Sequence, residues 1–61
     1  GLDEDERSVV QALSHGALQA DELCEHTQLS APRVQRAVLM LLLSKVIQEV
    51  GCGRYARTDH L

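Results

Sequence analysis

The apolar pattern of this chain changes its period once, at Lys45, and that change limits the folds open to it. Before it, Val34, Ala37, Val38 and Leu41 fall at i, i+3, i+4 and i+7, the stripe that one helix face turns toward a core. After it, Val46-Ile47-Gln48-Glu49-Val50 is β-branched and strand-like. Gly51-Cys52-Gly53 then separates that run from Arg54-Tyr55-Ala56-Arg57-Thr58. Two short strands around a glycine-containing three-residue loop predict a β-hairpin over 46–58.

Ser30 suits the N-cap position, and Pro32 is tolerated in a first helical turn, so the long helix is expected over 31–44. Nearer the start, Asp3 and Glu6 have the spacing of a capping box. Val9, Val10 and Leu13 form one apolar stripe and Gly16 supplies a left-handed stop, which predicts a helix over 4–15. Residues 17–19 read as a short extended link. A brief helix over 20–26 follows, with Gln19 as a weak cap and Leu23 as its buried anchor. Residues 27–30 read as a tight turn carrying one inward leucine, Leu29.

Helix, short helix, tight turn, longer helix, hairpin is the order of a winged helix-turn-helix. The expected fold class is therefore mainly α with a small β-hairpin: three helices plus a two-stranded wing, in a single domain over 1–61. A chain of 61 residues removes only about 60% of its unfolded surface from water, so the core is small. Tyr55 is the one aromatic ring, which makes that core aliphatic.

A net charge of −3 argues against nucleic acid until the charges are placed. Residues 1–26 carry seven acids against Arg7, whereas residues 27–58 carry Arg33, Arg36, Lys45, Arg54 and Arg57 against Glu49. The chain is polarised along its length. One reading is an acidic helix start favoured by the helix dipole, with ordinary solvated bases elsewhere. The other is a basic face, with Arg33, Gln35, Arg36, Lys45, Arg54 and Arg57 as candidates for DNA phosphates. Arg54 and Arg57 are three apart on a strand and point to opposite faces, so one surface can use only one of them. Tyr55 shares a face with Arg57 and reads as a core plug rather than a base-stacking ring.

The outward positions of the long helix are Arg33, Gln35, Arg36, Leu39, Met40, Leu42 and Leu43. Arg33, Gln35 and Arg36 could meet phosphates or base edges, but Leu39, Met40 and Leu43 could read nothing beyond a thymine methyl. A helix apolar around most of its circumference is normally buried on more than one side, and so short a chain cannot cover both. Two explanations stand. Leu39 and Leu43 complete the core under the wing, or Leu39, Met40, Leu42 and Leu43 contact another subunit, domain or protein. The second is favoured, because contiguous exposed apolar patches often mark such contacts.

Other classes find little support. The longest apolar run, 38–43, is far short of the roughly 20 residues of a membrane span. No basic segment followed by an apolar one suggests secretion. Cys24 and Cys52 form no C-x-x-C, which fits a reducing, cytoplasmic setting. Cys24, His26, His15 and His60 could be drawn as a metal set, but Cys24 and His26 lie two apart on a helix and face different sides. No metal, cofactor or small molecule is expected. With no arguable Ser-His-acid set and no phosphate-cradling glycine loop, neither is catalysis.

Val9-Val10-Gln11-Ala12-Leu13, Asp21-Glu22-Leu23, Leu29-Ser30, residues 34–39, Leu43, Ile47 and Gly53-Arg54-Tyr55-Ala56-Arg57 together resemble the C-terminal winged-helix domain of DNA-processing protein A, DprA or Smf. The resemblance covers nearly the whole chain, and the Gly-Arg-Tyr-x-Arg ending is its most telling part. Gln28 and Lys45 stand where that family usually has glycines, and Met40 and Leu42 where glutamates are common. The resemblance implies a bacterial protein of natural transformation and recombination. A larger Rossmann-like region of that protein binds single-stranded DNA and helps load RecA recombinase. On that basis the chain is expected to be an accessory domain excised from a larger protein. Its expected partners are a second copy or a recombination protein, with weak DNA contact as the rival.

Overall fold

The computed structural model describes residues 3–60; residues 1, 2 and 61 and the side chain of His60 lie outside the described residues. The ends of the expected 1–61 domain, and His60 as a ligand candidate, therefore fall outside it too. Three helices and three short strands follow one another. They are α1 (Glu4–Ala12), β1 (Leu18–Gln19), α2 (Ala20–Thr27), α3 (Ala31–Leu43), β2 (Ile47–Glu49) and β3 (Arg54–Arg57). Two 3₁₀ turns, Leu13–His15 and Thr58–His60, extend α1 and β3.

The capping box at the start of α1 is formed as its spacing predicts. The Glu6 amide donates to Asp3 Oδ1 at 2.8 Å and the Asp3 amide to Glu6 Oε2 at 3.2 Å, satisfying two orphan donors. The expected helix over 4–15 tightens after Ala12 into the 3₁₀ turn and stops at Gly16. Gly16 has φ 137° and ψ −177°, a mirror-extended conformation that side chains disfavour, rather than the left-handed helical stop expected. At α2 the Gln19 amide donates to Glu22 Oε1 at 2.9 Å, and Gln19 Nε2 reaches across to the Cys52 carbonyl at 3.3 Å. Ser30 does precede α3, but its hydroxyl makes no cap hydrogen bond. Pro32, in the first turn, needs no donor there.

Two helix ends use a left-handed residue other than glycine. Gln28 closes α2 at φ 62°, its amide donating to the Cys24 carbonyl at 2.9 Å and its side chain to the Glu25 carbonyl at 2.9 Å. Lys45 closes α3 at φ 61°. There the Val46 amide donates to the Leu41 carbonyl (3.0 Å) and the Lys45 amide to the Leu42 carbonyl (3.1 Å), the two bonds of a Schellman motif. Thr58 then ties this corner to the end of β3, its hydroxyl donating to the Lys45 and Val46 carbonyls at 3.1 Å each.

The wing is larger than two strands. The link at 17–19 is extended, as expected, but Leu18 and Gln19 pair antiparallel with Tyr55 and Arg54, which makes a three-stranded sheet of order β1-β3-β2. On the other side Ile47, Gln48 and Glu49 pair with Arg57, Ala56 and Tyr55. The Val50 amide donates to the Arg54 carbonyl at 2.9 Å, leaving Gly51, Cys52 and Gly53 as the loop, all at positive φ. Val9, Leu13, Leu23, Val34, Leu41 and Ile47 are fully shielded, with Ala37 and Val38 beside them. Each large side chain so placed contributes about 1.5 to 3 kcal/mol of transfer free energy. Leu29 and Tyr55 pack against this cluster half-buried, the inward leucine and the plug that the pattern suggested.

Candidate functional site

The outer side of α3 collects most of what the sequence singled out. Its core stripe is Val34, Ala37, Val38 and Leu41, all buried. Leu39, Met40 and Leu43 lie on the opposite side with 56, 44 and 69% of their surface exposed. The helix advances 100° per residue, so Leu39 and Met40 project 100° apart and Leu43, four and three residues on, lies one turn beyond and between them. Leu39 and Leu43 do not complete the core under the wing; that space is filled by Ile47, Val46 and Tyr55. Leu42 differs from its neighbours. It is half-buried and packs on the core, so it borders the patch and does not head it. Leu39 and Leu42, with Ala20, Gln35, Val38 and Tyr55, line an uncharged groove of about 330 Å³ between α3 and the start of α2.

Folding rearranges the charges. Arg33 makes a bidentate contact with Asp5, Nε to Oδ2 at 2.9 Å and Nη2 to Oδ1 at 2.7 Å. Arg57 does the same with Asp59, at 3.1 and 2.7 Å. Two of the five bases proposed for phosphates are thus already held by carboxylates. Asp5 lifts the Arg33 guanidinium above its ordinary pKa, first through the hydrogen bonds and then through its charge; slight desolvation opposes this and Glu4 and Asp3 add to it. The pair is surface-exposed, with 60% of the Arg33 side chain open to solvent, so its strength is screened by salt. The division into an acidic and a basic half, evident along the sequence, is therefore partly cancelled in space.

Gln35, Arg36, Lys45 and Arg54 remain exposed, and among the described residues these three bases have no ion-pair partner. They do not form one cluster. Arg36 is on the outer side of α3, Lys45 is at its C-terminal corner, and Arg54 pairs with Gln19 in the sheet. Asp3, Asp5, Glu6, Arg33, Arg36, Ala37 and Met40 line a second cleft of about 240 Å³, so the Met40 flank of α3 is bordered by acids.

The sequence reading missed Asp5 and Asp59 as partners. Arg57 ends β3 and Asp59 lies two residues on, in the 3₁₀ turn Thr58–His60, so the turn and not strand alternation brings the two together. Asp5 and Arg33 meet only because α1 packs on α3, which no local spacing reports. Cys24 packs against the core while His26 is exposed, so this pair is split. His15 and His26 instead border one polar cleft with Ser8, Gln11, Ala12 and Thr27. Among the described residues no three His, Cys, Asp or Glu side chains are placed to hold a metal ion, and no helix is long and apolar enough to cross a membrane.

Comparison with known proteins agrees with this architecture. A family model described as the DprA winged helix domain matches residues 1–51, a stretch that ends before Gly53-Arg54-Tyr55-Ala56-Arg57. No curated protein and no solved structure gave a significant match. The match takes in α1, β1, α2, α3 and β2, together with the exposed apolar side of α3. The chain belongs to the DprA winged helix domain family.

Proposed function

We propose that this domain is a non-catalytic interaction module of a DprA-like protein, placed at that protein's C-terminal end. The parent would work in the cytoplasm in natural transformation and recombination, binding single-stranded DNA and assisting RecA loading. The domain would act through protein–protein contacts made by the outer side of α3. One observation carries this reading. The helix that would enter a DNA groove presents Leu39, Met40 and Leu43 to solvent, Leu43 one turn beyond the other two. Such side chains read bases poorly and repay burial against another protein. The bidentate capture of Arg33 and Arg57 supports it further, since both would otherwise be free for phosphates.

The test uses two double variants of the parent protein, Met40→Glu with Leu43→Glu and Arg36→Ala with Lys45→Ala. The interaction reading expects the first pair to lower transformation frequency and RecA assembly on single-stranded DNA while DNA affinity is kept. Loss of function with the second pair alone would instead favour phosphate contact through Arg36, Lys45 and Arg54.

A further inference from the structure

We infer that the outer face of α3 receives an acidic amphipathic helix from another protein, a conclusion that rests on the interaction reading above and names the partner's chemistry. The apolar anchor points are Leu39, Met40 and Leu43, with the uncharged groove bordered by Gln35, Leu42 and Tyr55 alongside them. Anchors at this spacing match an incoming helix that offers apolar residues at i, i+3, i+4 and i+7.

Charge fixes the rest of the partner's character. No Asp or Glu occurs between His26 and Glu49, so α3 and both its corners lack a carboxylate. Arg36 stands one turn before Leu39 and Met40, and Lys45 stands just beyond Leu43, so the patch has a base at each end. Neither base is ion-paired among the described residues. Arg33, a turn earlier, is already neutralised by Asp5. On the Met40 flank the cleft carries Asp3 and Glu6, which repel a carboxylate. The groove on the other flank meets the first turn of α2 with Asp21 and Glu22, so the partner's carboxylates belong at the two ends of the patch, over Arg36 and Lys45.

A second copy of the chain fits less well. Two α3 helices face to face would bring Arg36 toward Arg36 or Lys45 with no acid on either helix. A stable dimer also takes about 800 Å² from each partner, about a fifth of the 4109 Å² surface here, more than three side chains on one helix supply.

The experiment titrates the 61-residue chain with labelled synthetic helical peptides that share one leucine stripe and differ only in flanking residues: Glu, Gln or Lys. The Glu-flanked peptide is expected to bind at least about fivefold more tightly than the Gln-flanked one, the Lys-flanked one most weakly, with the gap closing as salt rises. Leu43→Glu and Leu39→Glu, both at exposed positions, should each abolish binding with the fold kept. Arg36→Glu should reverse the preference toward the Lys-flanked peptide. Equal binding of all three peptides, still lost in Leu43→Glu, would overturn the acidic partner while leaving an α3 contact standing. Sedimentation showing a dimer that Leu43→Glu dissolves would make a second copy the occupant and overturn it as well. Binding of duplex DNA through Arg36, with no peptide bound and Leu43→Glu without effect, would remove both this inference and the reading beneath it.

Discussion

Leu41 and Leu43 stand two residues apart on α3 and span nearly the whole range of burial, 0% exposed against 69%. Leu41→Ala removes a side chain sealed among the core residues, and such changes cost about 3 to 5 kcal/mol through lost transfer free energy and the cavity left behind. A domain of this length holds about 3 to 9 kcal/mol in all. Leu41→Ala therefore removes about a third or more of that stability, and at the lower end of the range it unfolds the chain. Leu43→Ala is different. Less than a third of Leu43 is shielded, full burial would contribute about 1.5 to 3 kcal/mol, and so at most about 1 kcal/mol is at stake. Alanine returns a few tenths of a kcal/mol through its helix propensity, which brings the expected cost to about 0.5 kcal/mol. Urea unfolding followed by circular dichroism measures both. With a slope of about 1 kcal/mol per molar, Leu41→Ala lowers the midpoint by about 3 M or erases the transition, while Leu43→Ala moves it by about 0.5 M. Comparable shifts in the two variants, or a cost above about 1.5 kcal/mol for Leu43→Ala, would refute the division of α3 into a sealed and an open side.

Three further outcomes follow from the geometry. Lys45 sits in a left-handed conformation that costs a side chain about 1 kcal/mol; Lys45→Asn should gain a few tenths of a kcal/mol and Lys45→Val should lose about 1 kcal/mol, both read from thermal melts. With Arg33 and Arg57 held by Asp5 and Asp59, DNA binding through the candidate phosphate residues rests on three bases, Arg36, Lys45 and Arg54. The logarithmic salt slope should then be near −2.7 or shallower, and a slope steeper than about −4 would mean that the captured arginines are released. Asp5 raises the Arg33 pKa, so the pair's contribution is complete below the ordinary arginine value and is lost only as pH climbs past the raised one. A double-mutant cycle with Asp5→Asn and Arg33→Gln should therefore give the same small coupling from neutral to mildly alkaline pH, and that coupling should vanish in high salt.

Much of the fold was legible because its signals are local. The capping box at Asp3 and Glu6, the stripe on α3 and the switch to β-branched residues each act within a few positions, and the elements they predict are present. What stayed hidden depends on distance along the chain. Leu18 and Gln19 are too few to show a period, and their partners Tyr55 and Arg54 lie at the far end of the sequence. Leu39 and Leu43 could not be told from core residues, because the helix is apolar nearly all round; only the packing shows that one stripe fills the space available. Gln28 and Lys45 were visible as departures from glycine, and the structure shows the left-handed geometry kept nonetheless, with the Gln28 side chain adding a hydrogen bond of its own.

The strand order of the sheet has a consequence for how the chain comes into being. β3 lies in the middle, between one strand from the first third of the sequence and another from just before the loop. As a ribosome extends the chain, Leu18 and Ile47 both wait for Tyr55 and Arg57 before either strand has a neighbour. A fragment cut at residue 51, where the family match ends, keeps every helix yet lacks the strand that joins the other two. Such a fragment would emerge with two unpaired strand edges and an uncapped core, the state that chaperones hold and proteases clear. The helices alone leave the sheet without its middle strand, which residues 54–57 supply.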